Sequence, residues 1–98
     1  MSQTYQVKTI DTAPALVPEQ TTALISQTQK LIDDLNRNIA TLEADISAEQ
    51  NRCGIHDPAD VAYPWVAKAW RERSQNLKRT VADLEQAIAR QRDELVAR

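Results

Sequence analysis

Cys53, His56 and Asp57 fall within five residues of one another, and nowhere else in the chain do reactive side chains gather so closely. A thiol, an imidazole and a carboxylate at this spacing are the parts of a cysteine nucleophile or of a metal site. Neither chemistry is completed. A structural zinc ion takes four ligands, and the sequence holds one Cys and one His. A nucleophile needs an oriented base inside a pocket, whereas the residues around this trio read as a turn between helices. The expectation is a helix-terminal cysteine and a loop histidine, with no catalytic centre, no metal and no cofactor.

A second cluster is aromatic and basic. Three of the four aromatic residues, Tyr63, Trp65 and Trp70, lie in one short stretch with Val66 between them. Lys68, Arg71, Arg73, Lys78 and Arg79 follow, interrupted by Glu72. A tryptophan edged by Arg and Lys is a typical anchor of a protein interface. The same aromatics could instead close the end of a helical hairpin over Ile46, Ile55 and Val61. Trp70 is expected to point inward and Trp65 outward. The partner-binding set read from the sequence is therefore Tyr63, Trp65, Val66, Trp70, Arg71 and Arg73. The basic run suits pairing with an acidic helix or an acidic protein. Nucleic-acid binding would call for a broader patch on a recognised module, and the net charge of -2 points away from it.

The elements that must position these residues are set by a repeat. Ile25, Ile32, Ile39 and Ile46 recur every seventh residue, which holds one seam of an α-helix towards one partner. From Pro18 to Cys53 the chain contains no Gly and no further Pro. Pro18 suits the first helical turn, Glu19 suits the positive end of the helix dipole, and Gly54 suits the left-handed residue that ends a helix. The spacing predicts one helix over 18–53, a loop over 54–63 and a second helix over 64–97 opened by Pro64. Within the loop, Asp57-Pro58 reads as the start of one short helical turn with Asp60 at its third position. A short link between helices of nearly equal length makes an antiparallel hairpin.

One register fits the two helices. It sets Ile46 against Trp70, Ile39 against Leu77, Leu35 against Val81 and Ile32 against Leu84. The expected seam is Ile25, Ile32, Leu35, Ile39, Leu42 and Ile46 on the first helix, with Leu77, Val81, Leu84 and Ile88 on the second. Weak layers remain, because Leu42 faces Ser74, Ile25 faces Gln91 and Glu49 faces Ala67. The register also brings Glu43 towards Arg71 and Asp45 towards Arg73. Leu24 and Leu31 widen the apolar stripe beyond the seam, which predicts a further helical partner or a second hairpin in a bundle.

Charge supports the folding of one half on the other. Residues 1–60 carry nine acidic and four basic side chains, and residues 61–98 carry five and eight. The single cysteine permits no internal disulfide and fits a reducing compartment. No run approaches the length of a membrane span, and the first residues lack the pattern of a secretory signal. A cytoplasmic protein without membrane insertion is expected. Pro14 and Pro18 set residues 1–17 apart as a flexible arm.

The segment Ala48-Glu49-Gln50-Asn51-Arg52-Cys53-Gly54-Ile55-His56-Asp57-Pro58 continues through Ala62-Tyr63-Pro64, Ala67-Lys68-Ala69, Arg73 and Asn76-Leu77. It resembles the central hairpin of alphaproteobacterial flagellar export proteins of the FliJ type. Those carry an acidic helix end, a Gly-Ile/Val-x-Asp-Pro turn, an Ala-Tyr-Pro step and a helix with Arg and Asn-Leu. The match covers about 30 residues. It implies a non-enzymatic two-helix coiled coil acting with an export ATPase, an export gate and substrate chaperones, with Tyr63 to Arg73 as the working segment. The family's basic N-terminal helix has no counterpart in the near-neutral residues 1–17, and Trp65 and Trp70 stand where smaller residues are usual.

The sequence thus leads to an all-α antiparallel coiled-coil hairpin that self-associates as a dimer or larger bundle. The expected function is a non-enzymatic adaptor or chaperone-like protein whose partner is another helical protein or itself. Two other readings are a purely structural self-assembling bundle and a small regulator that grips a protein target with residues 1–17.

Overall fold

The computed structural model describes residues 18–97. The arm over residues 1–17 lies outside the described residues, as does the regulator reading that depends on it. Two helices, α1 (Pro18–Cys53) and α2 (Trp65–Ala97), pack against each other as a hairpin. The molecule is a rod of 71 × 27 × 18 Å.

Burial follows the heptad. Ile32, Ile39 and Ile46 on α1 are buried, and so are Ala67, Ser74, Val81 and Ile88 on α2, each set at seven-residue steps. The intervening seam residues Leu35, Leu42, Leu77 and Leu84 are half-buried, as expected when two helices alone shield a seam. Ile32, Ile39, Val81 and Ile88 form the central cluster, with Ile25, Leu35, Leu77 and Leu84 packed against it. Gln50 of α1 bonds Tyr63, while Glu43, earlier in α1, pairs with Lys78, further along the chain, so the helices are antiparallel.

The cross-helix ion pair differs from the expected ones. Glu43 Oε2 takes Lys78 Nζ at 2.6 Å, and neither Glu43–Arg71 nor Asp45–Arg73 forms an ion pair among the described residues. Glu43 and Lys78 each follow a seam leucine by one position, which places them on the same flank. Arg71 is on that flank too and lines the same groove, but Lys78 alone takes the carboxylate. The pair is half-exposed, so it contributes orientation more than stability.

The loop is built from turns rather than from a short helix. Gly54 has φ +76°, and its N–H donates to Gln50 O at 2.8 Å, ending α1 as the expected left-handed residue does. Asp57 Oδ1 then accepts from Ala59 N at 2.9 Å while Asp57 O accepts from Asp60 N at 3.0 Å. Asp60 repeats the same pattern with Ala62 N and Tyr63 N. Two consecutive β-turns result, each opened by an aspartate that satisfies its own backbone. Asp60 starts the second turn instead of capping a helix, so the expected helical turn is absent. Pro64 O accepts the first α2 bond, from Lys68 N at 3.1 Å. Pro64 is therefore the residue before α2, and the helix begins at Trp65.

The open end is the weaker end. Gln91 Oε1, near the end of α2, is buried without a hydrogen-bond partner among the described residues. An unpaired buried acceptor costs about 1–3 kcal/mol. No described helix is long and apolar enough to cross a membrane.

Candidate functional site

The reactive trio is dispersed by its surroundings. The Cys53 thiol donates weakly to Gln50 O and Ile55 O, at 3.7 and 3.8 Å. The His56 ring pairs with Asn51 Oδ1 at 3.1 Å, and Asp57 serves its own turn. Each of the three side chains is thus engaged in ending α1 or shaping the loop. Among the described residues no group of three or more His, Cys, Asp or Glu is arranged to hold a metal ion.

The aromatic cluster divides in two. Tyr63 is 7% exposed, and its hydroxyl accepts a hydrogen bond from Gln50 Nε2 at 2.8 Å. This corrects its expected place in the partner-binding set, since a buried ring tied to α1 presents nothing outward. The cause is the second β-turn, which delivers residue 63 back onto α1. Ala67, fully enclosed, fills the seam beside it. Trp70 is half-buried, so it covers the seam without being sealed in it.

Trp65 stands apart at 81% exposed. It opens α2 two positions before the inward-facing Ala67, which turns its ring away from the seam. Val66 beside it is half-buried, and Val61 in the preceding turn is fully exposed. The expectation that Val61 lies under the aromatics is corrected by the same pair of turns, which direct it to solvent. Trp65, Val61 and Val66 thus make an apolar tip on a well-anchored scaffold.

A basic groove adjoins this tip. About 270 Å³ of space lies between Pro58 of the loop and Lys68, Arg71, Glu72, Gln75 and Arg79 of α2. Three cations surround one carboxylate there, which suits the recognition of carboxylate side chains. Arg71 is half-buried and Arg73 is exposed, and neither has an ion-pair partner among the described residues. A second groove of about 260 Å³ runs along the flank of Glu43 and Lys78, over the small side chains of Ser47 and Ser74. Its polar lining is already occupied by the Glu43–Lys78 and Gln50–Tyr63 pairs.

Sequence reasoning missed Gln50 as the partner of Tyr63. The signal was present: Gln50 lies on the same flank as Glu43, one turn before the helix end, where the returning chain must cross. Glu49 was read only as a weak layer opposite Ala67. Its side chain is 18% exposed, and it is held by Arg52, whose Nε donates to Oε1 at 2.9 Å and whose Nη2 pairs with Oε2. These hydrogen bonds hold the Glu49 carboxyl below its ordinary range against the opposing effect of desolvation, and they raise Arg52. A lowered folded pKa means that the pair stabilises the hairpin above the unfolded carboxylate value of about 4.3. That stabilisation disappears as pH falls through the folded value. Glu49→Gln should therefore lose less of its Tm than the parent between about pH 6 and pH 3. Equal losses in a pair of thermal melts would exclude the linkage.

No protein-family model, curated protein or solved structure matches this chain.

Proposed function

We propose that this protein is a non-enzymatic helical adaptor that docks other proteins through the loop end of α2. The observation that carries the reading is Trp65, 81% exposed at the first residue of a well-formed helix. Placing a large indole in water forgoes roughly 1.5–3 kcal/mol of burial, a loss a partner can recover. Val61 and Val66 extend the apolar contact. Lys68, Arg71 and Arg73 supply the charge that selects an acidic partner and orients it. The mechanism is helix-on-helix docking, with no covalent chemistry and no cofactor.

The resemblance of residues 48–77 to flagellar export proteins supports a finer version. In it the partner belongs to a type III export apparatus in the cytoplasm: an ATPase, a gate component or a substrate chaperone. The alternative of a purely structural bundle is favoured by a different observation, the half-exposed Leu24 and Leu31 beside the seam.

Trp65→Ala separates these readings. Its fold should change little, within about 0.5 kcal/mol, because the ring covers nothing in the core. Affinity capture with parent and variant baits should then recover export ATPase, gate or chaperone components with the parent alone. Equal recovery with both baits would remove Trp65 from the site.

A further inference from the structure

We infer that the outward face of α2 binds an acidic helical segment of another protein, with an apolar residue against Trp65 and carboxylates in the basic groove beside it. The inference rests on the reading of Trp65 as a docking residue and names the chemistry of its partner.

The first argument is placement. Trp65, Lys68, Glu72, Asn76 and Arg79 follow one another at steps of three and four, which holds them in one row along α2. Every residue of the row is exposed, while Ala67, Ser74 and Val81 are buried on the opposite side of the helix. Lys68, Glu72, Asn76 and Arg79 also line the groove that Pro58 borders. The indole and the basic groove therefore belong to one surface. From Trp65 to Arg79 that surface runs roughly 21 Å at 1.5 Å per residue, about four turns of a docked helix. Arg73 stands on the side flank with Val66, seven residues before it, and adds only to the long-range attraction of an acidic partner.

The second argument is unspent charge. The side chains of Lys68, Arg71 and Glu72 make no hydrogen bond or ion pair among the described residues. Arg71 is half-buried, so its guanidinium has given up part of its water without gaining an anion. Arg79 spends Nη1 on Asn76 Oδ1 at 3.0 Å, and the rest of its fork stays open. A carboxylate answers a guanidinium with two parallel hydrogen bonds, and the groove offers two guanidinium groups and one ammonium.

The third argument selects a peptide over a nucleic acid. Glu72 lies among the cations of the groove. Acidic residues also bound the cationic stretch at both ends, with Asp57 and Asp60 in the loop and Asp83 and Glu85 beyond Arg79. A phosphate backbone is charged at every step and would be set against these carboxylates. A helical segment places its charges one turn apart, so it can answer each cation and set a neutral residue opposite Glu72. An apolar side chain at its end then recovers the burial that Trp65 forgoes.

Fluorescence anisotropy of a labelled peptide titrated with the full chain tests the assignment. The peptide is an alanine-rich helix of about four turns. It carries a leucine in one end turn and a glutamate on the same face of each other turn. It should bind the parent, and its glutamine counterpart should bind about tenfold more weakly or worse. Lys68→Glu combined with Arg79→Glu changes two exposed positions and should raise the dissociation constant about tenfold or more. Arg71→Gln should weaken binding as well, with helical circular dichroism showing each variant folded. A lysine counterpart of the peptide should bind the doubly reversed chain and not the parent. Lys30→Glu, the same reversal on α1 away from the groove, should change the constant less than about twofold. No binding of the glutamate peptide by the parent overturns the inference, while Trp65-dependent capture of a protein partner would still stand. Equal losses with Lys30→Glu reduce the effect to net charge and overturn the groove. A single-stranded oligonucleotide of the same length that binds the parent more tightly than the peptide overturns the choice of a peptide. Sedimentation of the parent as a pair that the double reversal dissolves makes a second copy the occupant and overturns the partner class.

Discussion

Ile32→Ala should lower the stability of the hairpin by about 2–5 kcal/mol, the largest effect expected of any single truncation along the seam. Ile32 is 1% exposed and belongs to the cluster with Ile39, Val81 and Ile88. Its loss removes buried methylenes and leaves a void that two helices can close only by shifting along their whole length. A domain of this size has about 5–15 kcal/mol in total, so the change consumes a large share of it. Ile25→Ala is the control. Ile25 is half-buried and packs at the margin of that cluster, so less transfer energy and less cavity are at stake. Urea unfolding followed by helical circular dichroism, at one fixed protein concentration, should rank Ile32 well above Ile25. A shift of under about 1 kcal/mol for Ile32→Ala would mean that the seam is not the core.

The seam was legible because its signal is periodic and redundant. Four isoleucines at seven-residue steps name the inward face. The structure buries Ile32, Ile39 and Ile46 on that face. Gly54 was legible for a different reason, since one residue type relieves the strain of a positive φ. The loop was less legible. Asp57-Pro58 opens a helix and a β-turn with equal ease, because the carboxylate caps a following N–H in both. What decides between them is Asp60, which satisfies the next turn in the same way and leaves no run of residues to propagate a helix. Charge pairing was the least legible. Long side chains choose among several partners within reach, and Glu43 takes Lys78 rather than Arg71 at little difference in energy. At the candidate site, the outward position of Trp65 followed from its helical phase. The inward position of Tyr63 did not, because it depends on the path of a loop that has no period.

Tyr63→Ala should cost about 3–5 kcal/mol, while Tyr63→Phe should cost only about 0.5–1.5 kcal/mol. The ring is 7% exposed and closes the loop end against α1. Alanine leaves that space empty at the point where the second β-turn meets α2. Phenylalanine keeps the packing and removes one hydrogen bond, from Gln50 Nε2. Gln50 also lines an open groove, so its freed amide can turn to water and the penalty stays small. The ranking has a consequence beyond stability. Tyr63 is two residues before Trp65, and the turn it anchors sets where α2 begins. Tyr63→Ala should therefore weaken docking through Trp65 even though Trp65 itself is unchanged, whereas Tyr63→Phe should leave docking near the parent level. Urea midpoints and Trp65-dependent binding measured on the same two variants decide the matter. Equal stability of the two would show that the hydrogen bond, not the ring, holds the loop. Full docking by a destabilised but folded Tyr63→Ala would show that Trp65 finds its partner without a preset loop.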